Sequence, residues 1–222
     1  MLKGEVRLKI LITGFDPFDG ETLNPAWETV KGLPEELSGA RIRTLQIPTA
    51  FQRAAERITE AMAEFMPDRV LMVGQAGGRA ALSLEFVGIN WQDGRIPDND
   101  GFQPSGCLLE EEGETAYFAT LPLGEMTLRI REAGIPAVIS YSAGTYVCNT
   151  VLYRVLRHIA KNDLPCKAGF LHVPYTPEQV VDKAGGTPSM AVETILEGLL
   201  AALQGIIDPN PLRETGPLGQ TE

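Results

Sequence analysis

The sequence predicts a single open three-layer α/β/α domain built on a mostly parallel, twisted sheet. Two observations point there. Short apolar runs of strand length alternate along the chain with segments of helical period, the order that yields a parallel sheet covered on both faces. The chain has 222 residues, 44% of them hydrophobic and 22% charged, which is ordinary globular usage and enough to bury a core without disulfide or metal staples.

Taken in order, LKILITGF (8–15) is a short β-branched run, and ARIRTLQIP (40–48) alternates like a half-exposed strand. AFQRAAERITEAMAEFM (50–66) spaces Ala, Ile, Met and Phe as one face of an amphipathic helix. RVLMVGQA (69–76), AVISYS (137–142) and AGFLHVP (168–174) read as buried strands, and GGRAALSLEFVGIN (77–90) contains a further strand-like run. CNTVLYRVLRHIAKN (148–162) is helical by period, and SMAVETILEGLLAALQ (189–204) supplies a closing helix. Residues 91–106, WQDGRIPDNDGFQPSG, are too rich in Pro, Gly, Asp and Asn for helix or central strand. A loop of that length inside a compact domain is usually functional. The folded domain is expected to span residues 1–203. Residues 204–222, with Pro209, Pro211, Gly216, Pro217 and Gly219, are expected to form a flexible tail.

A net charge of −10 argues against broad nucleic-acid or anionic-membrane binding, and no apolar run approaches the ~20 residues of a membrane span. The apolar stretch near the N-terminus reads as a first strand rather than a signal-peptide core. Three cysteines, Cys107, Cys148 and Cys166, make no disulfide framework and read as reduced thiols of a cytoplasmic protein. Two histidines and no CxxC argue against a structural zinc site.

Ligands of open α/β sheets bind beyond the ends of strands, so candidate chemistry is sought there. After AVISYS a Gly-containing turn leads to Cys148 and then a helix, the order of a nucleophile elbow. A helix N-terminus is expected to lower a thiol's pKa. A small buried cysteine of purely structural use is the competing reading, and position alone leaves both open. Cys107, before an acidic run, and Cys166, in a linker, open no helix after a strand. A catalytic thiol needs a base. His158 lies ten residues along the same helix, about 15 Å away, and answers that helix's C-terminal dipole instead. His172 ends the next strand, at the edge where Cys148 is expected to emerge, and is the base by elimination. Glu85 stands in an apolar run, costly unless paired. It can orient the imidazole or form a salt bridge with Arg79 or Arg95, and the residues alone leave both open.

Several separated motifs then carry a resemblance: TGFDPFDGETLNPAWE, GQAGGRAALSLEFVGIN, RIPDNDGFQP, SYSAGTYVCN and LHVPYTPEQ. Over about residues 8–203 the chain resembles the pyroglutamyl peptidase type I family, cysteine exopeptidases of the cytoplasm. The resemblance implies Cys148 as nucleophile, His172 as base and Glu85 as its orienting acid. It also implies Arg95 beside the oxyanion, and a pocket of Phe15 and Phe18 with Gln75 addressing a lactam. The implied activity is removal of an N-terminal pyroglutamyl residue from peptides through a thioester, with no cofactor and no metal. Oligomerisation as a homotetramer is likewise implied by the family only. Two positions depart from its pattern: Phe86 stands where a basic residue is frequent, and Tyr146 where phenylalanine is common. The competing readings are a nucleoside-phosphorylase-like transferase using GQAGGR as an anion-binding turn, and a catalytically silent binding module.

Overall fold

The computed structural model describes residues 7–210, 218 and 219. The elements run β1 (Lys9–Phe15), α1 (Pro25–Val30), β2 (Glu36–Leu37), β3 (Ala40–Ile47), α2 (Arg53–Phe65), β4 (Arg69–Gln75), β5 (Leu82–Glu85) and β6 (Val87–Ile89). They continue through β7 (Ala116–Phe118), α3 (Leu123–Glu132), β8 (Ala137–Ser140), α4 (Val147–Lys161), β9 (Lys167–Val173), α5 (Pro177–Val180) and α6 (Val192–Ile207). Seven strands form one sheet in the order β2-β3-β1-β4-β9-β5-β8, and β6 pairs with β7 in a small second sheet.

Alternate residues of the central strands serve two cores, as buried parallel strands require. Ile10, Ile12, Leu71, Val73, Leu171 and Val173 face one way, against α1, α3 and α6. Leu11, Val70, Met72, Ala168 and Phe170 face the other way, against α2 and α4. The three expected layers are therefore present. Three helices, α1, α3 and α5, were not anticipated. For α1 a signal existed: Asn24 caps Ala26 N–H through its side chain and Pro25 opens the helix.

The sheet is parallel except at two places, β2 with β3 and β5 with β9. The second exception corrects an expectation. β8 is parallel to β5 and therefore runs opposite to β9, so the two strands do not end at one edge. The cause is the short connection 76–81 between β4 and β5, too short for the crossover that a parallel return demands. Ser140 and Phe170 both stand level with Glu85, two residues before His172, and residues 141–146 carry the chain onward to Cys148.

The C-terminal boundary also moves. α6 extends to Ile207, past residue 203, because Ile206 is buried in the same core as Leu203. Leu218 is buried, and its carbonyl accepts the N–H of Ile139 on edge strand β8 at 2.9 Å. The remaining tail positions, 211–217 and 220–222, lie outside the described residues.

Candidate active site

Cys148 is the second residue of α4, and the start of that helix is held by Asn149. The Asn149 side chain donates to the carbonyls of Ile89 and Trp91 at 3.0 and 2.8 Å and accepts the N–H of Ile89 at 2.9 Å. Such a fully satisfied buried amide leaves the first turn little freedom.

The thiol's neighbourhood follows from register. Gly74 of β4 stands directly opposite His172 of β9 in parallel pairing, so both point to the α4 side of the sheet. A Cβ on Gly74 would lie 3.0 Å from the Cys148 Sγ and 2.7 Å from the Phe170 ring. Adjacent strands are about 4.8 Å apart, which brings the sulfur within one side chain's reach of the His172 imidazole. The Phe170 ring lies 4.7 Å from that imidazole, centroid to centroid, and walls it.

Behind the imidazole, His172 Nδ1 meets Glu85 Oε1 at 2.7 Å, with Glu85 fully buried and His172 nearly so. The same carboxylate oxygen accepts Arg79 Nη1 at 2.6 Å, and Arg79 Nη2 donates to the carbonyl of Ser142 at 3.1 Å. The two pairings left open by the residues thus coexist at one atom. Burial pushes the Glu85 pKa up, but the His172 hydrogen bond and charge, the Arg79 guanidinium and the Ser140 hydroxyl outweigh it, leaving the pKa lowered. An ionised Glu85 accepts only, so His172 holds its proton on Nδ1 and turns the Nε2 lone pair toward the thiol side.

The thiol itself corrects an expectation. Burial of the sulfur, with the Glu85 charge adding to it, raises the Cys148 pKa to about 12; Arg79 and the helix-start backbone pull the other way and lose. Burial thus favours the protonated thiol, because the helix terminus does not offset removal from water.

Beside these groups lies a cleft of about 510 Å³ lined by Phe18, Gln75, Arg95, Ile96, Tyr146 and Tyr175, among others. The Phe18 and Tyr146 rings stand 6.2 Å apart. The loop carrying Arg95 is tied down on both sides. Tyr146 Oη donates to the carbonyl of Pro97 at 3.0 Å, and Thr145 Oγ1 to that of Asp93 at 3.1 Å. Asp98, buried, accepts the N–H groups of Phe51, Asp100 and Phe102 at 2.8–3.0 Å.

Known proteins match this arrangement over nearly its whole length. The profile of the family described as pyroglutamyl peptidase matches residues 8–209. A pyrrolidone-carboxylate peptidase of Lactobacillus johnsonii is 52% identical over 202 residues, 90% of this chain and 93% of its own. The crystal structure of pyroglutamyl peptidase I from Bacillus amyloliquefaciens superposes with a TM-score of 0.87 at 41% identity, covering 91% of this chain and 96% of that one. A mutant pyrrolidone carboxyl peptidase from Pyrococcus furiosus gives 0.86 at 40% identity, with 90% of this chain and 98% of that one covered. The chain belongs to the pyroglutamyl peptidase family.

Within this pyroglutamyl peptidase fold, Cys148, His172 and Glu85 come together, and Phe18, Gln75 and Arg95 share the adjoining cleft. Phe15 does not line the cleft: it is 2% exposed, with its ring 6.3 Å from Phe170 in the core beneath. Gly74, Tyr175 and Asp98 were not singled out from sequence, and Arg79 only as a salt-bridge partner. Their signal is spatial, not local.

Proposed function

We propose that this chain is a cysteine peptidase that removes an N-terminal pyroglutamyl residue from peptides. The observation that carries the reading is the placement of a thiol and a carboxylate-bound imidazole on one face of the sheet, at Gly74.

In this reading His172 Nε2 takes the Cys148 proton as sulfur attacks the carbonyl carbon following the lactam ring. A pKa of about 12 makes this a coupled step, with the thiolate forming as the base receives its proton. Glu85 stabilises the imidazolium without itself taking the proton. The Cys148 N–H and Arg95 face the oxyanion. The tetrahedral species expels the amine, which takes the proton from His172, and leaves a thioester. Water, deprotonated by His172, then releases pyroglutamate and restores the thiol. The ring sits against Phe18 and Tyr146 with Gln75 on its carbonyl, and Phe15 acts from below by supporting Phe170. No cofactor or metal takes part.

We further infer a cytoplasmic homotetramer. Three unpaired cysteines support a reducing compartment. The exposed cluster of Phe86, Phe118 and Tyr141, with ring centroids 5.1 and 5.7 Å apart, supports burial between subunits. Sedimentation velocity tests the latter.

The functional test compares kcat/KM for pyroglutamyl, prolyl and glutamyl arylamides. A proline ring carries a charged amine and no carbonyl, so its rejection by roughly 10⁴-fold is expected. Comparable hydrolysis of the prolyl and pyroglutamyl substrates refutes the pocket.

A further inference from the structure

Gln75 ends β4 at the cleft, and behind it lies Gln179, on the short helix α5 and 8% exposed. An isolated primary amide can turn over and offer either its oxygen or its NH₂ to a ligand. Here one backbone group removes that freedom from both side chains. The N–H of Thr176 can only donate, and it lies 3.1 Å from Gln179 Oε1, the backward reach of a capping box. Gln179 must therefore present its NH₂ on the other side, where Nε2 donates to Gln75 Oε1 at 3.0 Å. With its oxygen engaged, Gln75 has only its NH₂ left for the cleft, and among the described residues that NH₂ has no hydrogen-bond partner.

The root of this relay is rigid. Thr176 is fully buried, Pro177 follows it at the first helical position, and Tyr175 is bridged to Ser189 with its carbonyl accepting the Met190 N–H at 2.8 Å. Water has no access by which to supply a substitute donor or acceptor at Thr176.

We propose that Gln179 is a specificity-determining residue: it locks Gln75 as a hydrogen-bond donor toward the cleft, so that the ring seated there must carry an acceptor. The inference rests on the reading of Gln75 as the lactam-facing residue. A pyroglutamyl ring meets the requirement with its carbonyl. A prolyl ring offers a methylene and a protonated amine, and a fixed donor facing a donor rejects it. Selectivity then originates two hydrogen bonds away from the substrate.

The test is Gln179→Glu, because Glu serves the same capping position as well as Gln does. One carboxylate oxygen keeps the Thr176 bond. The other is now an acceptor, so Gln75 must turn its NH₂ inward and its oxygen outward. KM for a pyroglutamyl arylamide and Ki for 2-pyrrolidone are expected to rise about ten- to hundredfold, the effect of an unsatisfied buried group. The value of kcat should change far less, the prolyl-to-pyroglutamyl ratio of kcat/KM should rise, and the melting temperature should hold. Lowering the pH protonates the new carboxyl, restores a donor and returns KM toward wild type. Gln179→Met, which neither donates nor accepts, should raise KM at every pH. Wild-type KM and selectivity in both folded variants overturn the proposal. Gln75→Leu runs alongside: if it too leaves KM unchanged, the lactam-facing assignment itself fails, and if it alone raises KM, only the relay does.

Discussion

Gly74→Ala places a Cβ 3.0 Å from the Cys148 sulfur and 2.7 Å from the Phe170 ring. Ordinary carbon contacts lie at about 3.5–4.0 Å, so the sulfur must retreat by about half an ångström or more, or the ring must turn. Phe170 is fully buried and walls His172, so neither neighbour yields without disturbing the other. Overpacking of this kind costs about 1–3 kcal/mol, and a domain of this size loses about 2–4 °C of melting temperature per kcal/mol. Displacing a nucleophile by about 1 Å costs about 10²-fold in rate. The expected variant therefore folds, melts several degrees lower, and hydrolyses pyroglutamyl arylamide with kcat reduced on that scale and KM little changed. Repeating the substitution in a Cys148→Ala background separates the two clashes. Removal of the sulfur should relieve part of the stability loss, a coupling on the order of 1 kcal/mol. A folded Gly74→Ala enzyme with wild-type kcat refutes the placement of the thiol. Strict additivity with Cys148→Ala assigns the clash to Phe170 alone.

Cys148→Ser should abolish turnover with the fold intact, whereas Cys107→Ser and Cys166→Ser retain most activity; arylamide assays and melting curves on the three variants decide. Glu85→Gln removes the charge that stabilises the imidazolium, so kcat should fall about 10²- to 10⁴-fold. The same change removes a charge that raises the Cys148 pKa, so the pH profile of iodoacetamide alkylation should shift to lower pH. Stability should fall at both ends of the pH range. Glu85 has a lowered folded pKa, so its contribution is present above its ordinary 4.5 and is lost as pH falls through the folded value. Cys148 ionises near 9.0 when unfolded and only at about 12 when folded, so its protonated burial favours the fold below 9.0 and is lost as pH rises toward 12. Urea titrations of wild type, Glu85→Gln and Cys148→Ala across pH test each limb, and a wild-type alkaline limb in Cys148→Ala contradicts the assignment.

The local periods of the chain determined most of its elements by themselves. The runs at 8–15, 69–76 and 168–174 became β1, β4 and β9 within a residue or so, because uninterrupted apolar β-branched stretches bury on both faces wherever they pair. The helix opened next to Cys148 was equally legible, from a 3.6-residue period following a glycine turn. Tertiary structure decided everything that depends on direction and on burial of charge. The short return that makes β5 antiparallel to β9 left the shared-edge argument for His172 without its basis, and residues 141–146 brought the thiol to the imidazole by a different route. Glu85 resolved into a partner of His172 and Arg79 together only once a buried oxygen had two N–H donors converging on it. The thiol's protonation could not be read from its place at a helix start, since burial of the sulfur and the charge of Glu85, remote in sequence, act against the helix terminus. The same holds for Gln179. The amide that its helix cap orients arrives from a strand 104 residues earlier, and a hydrogen-bond polarity exists only between groups that the fold has already brought into contact.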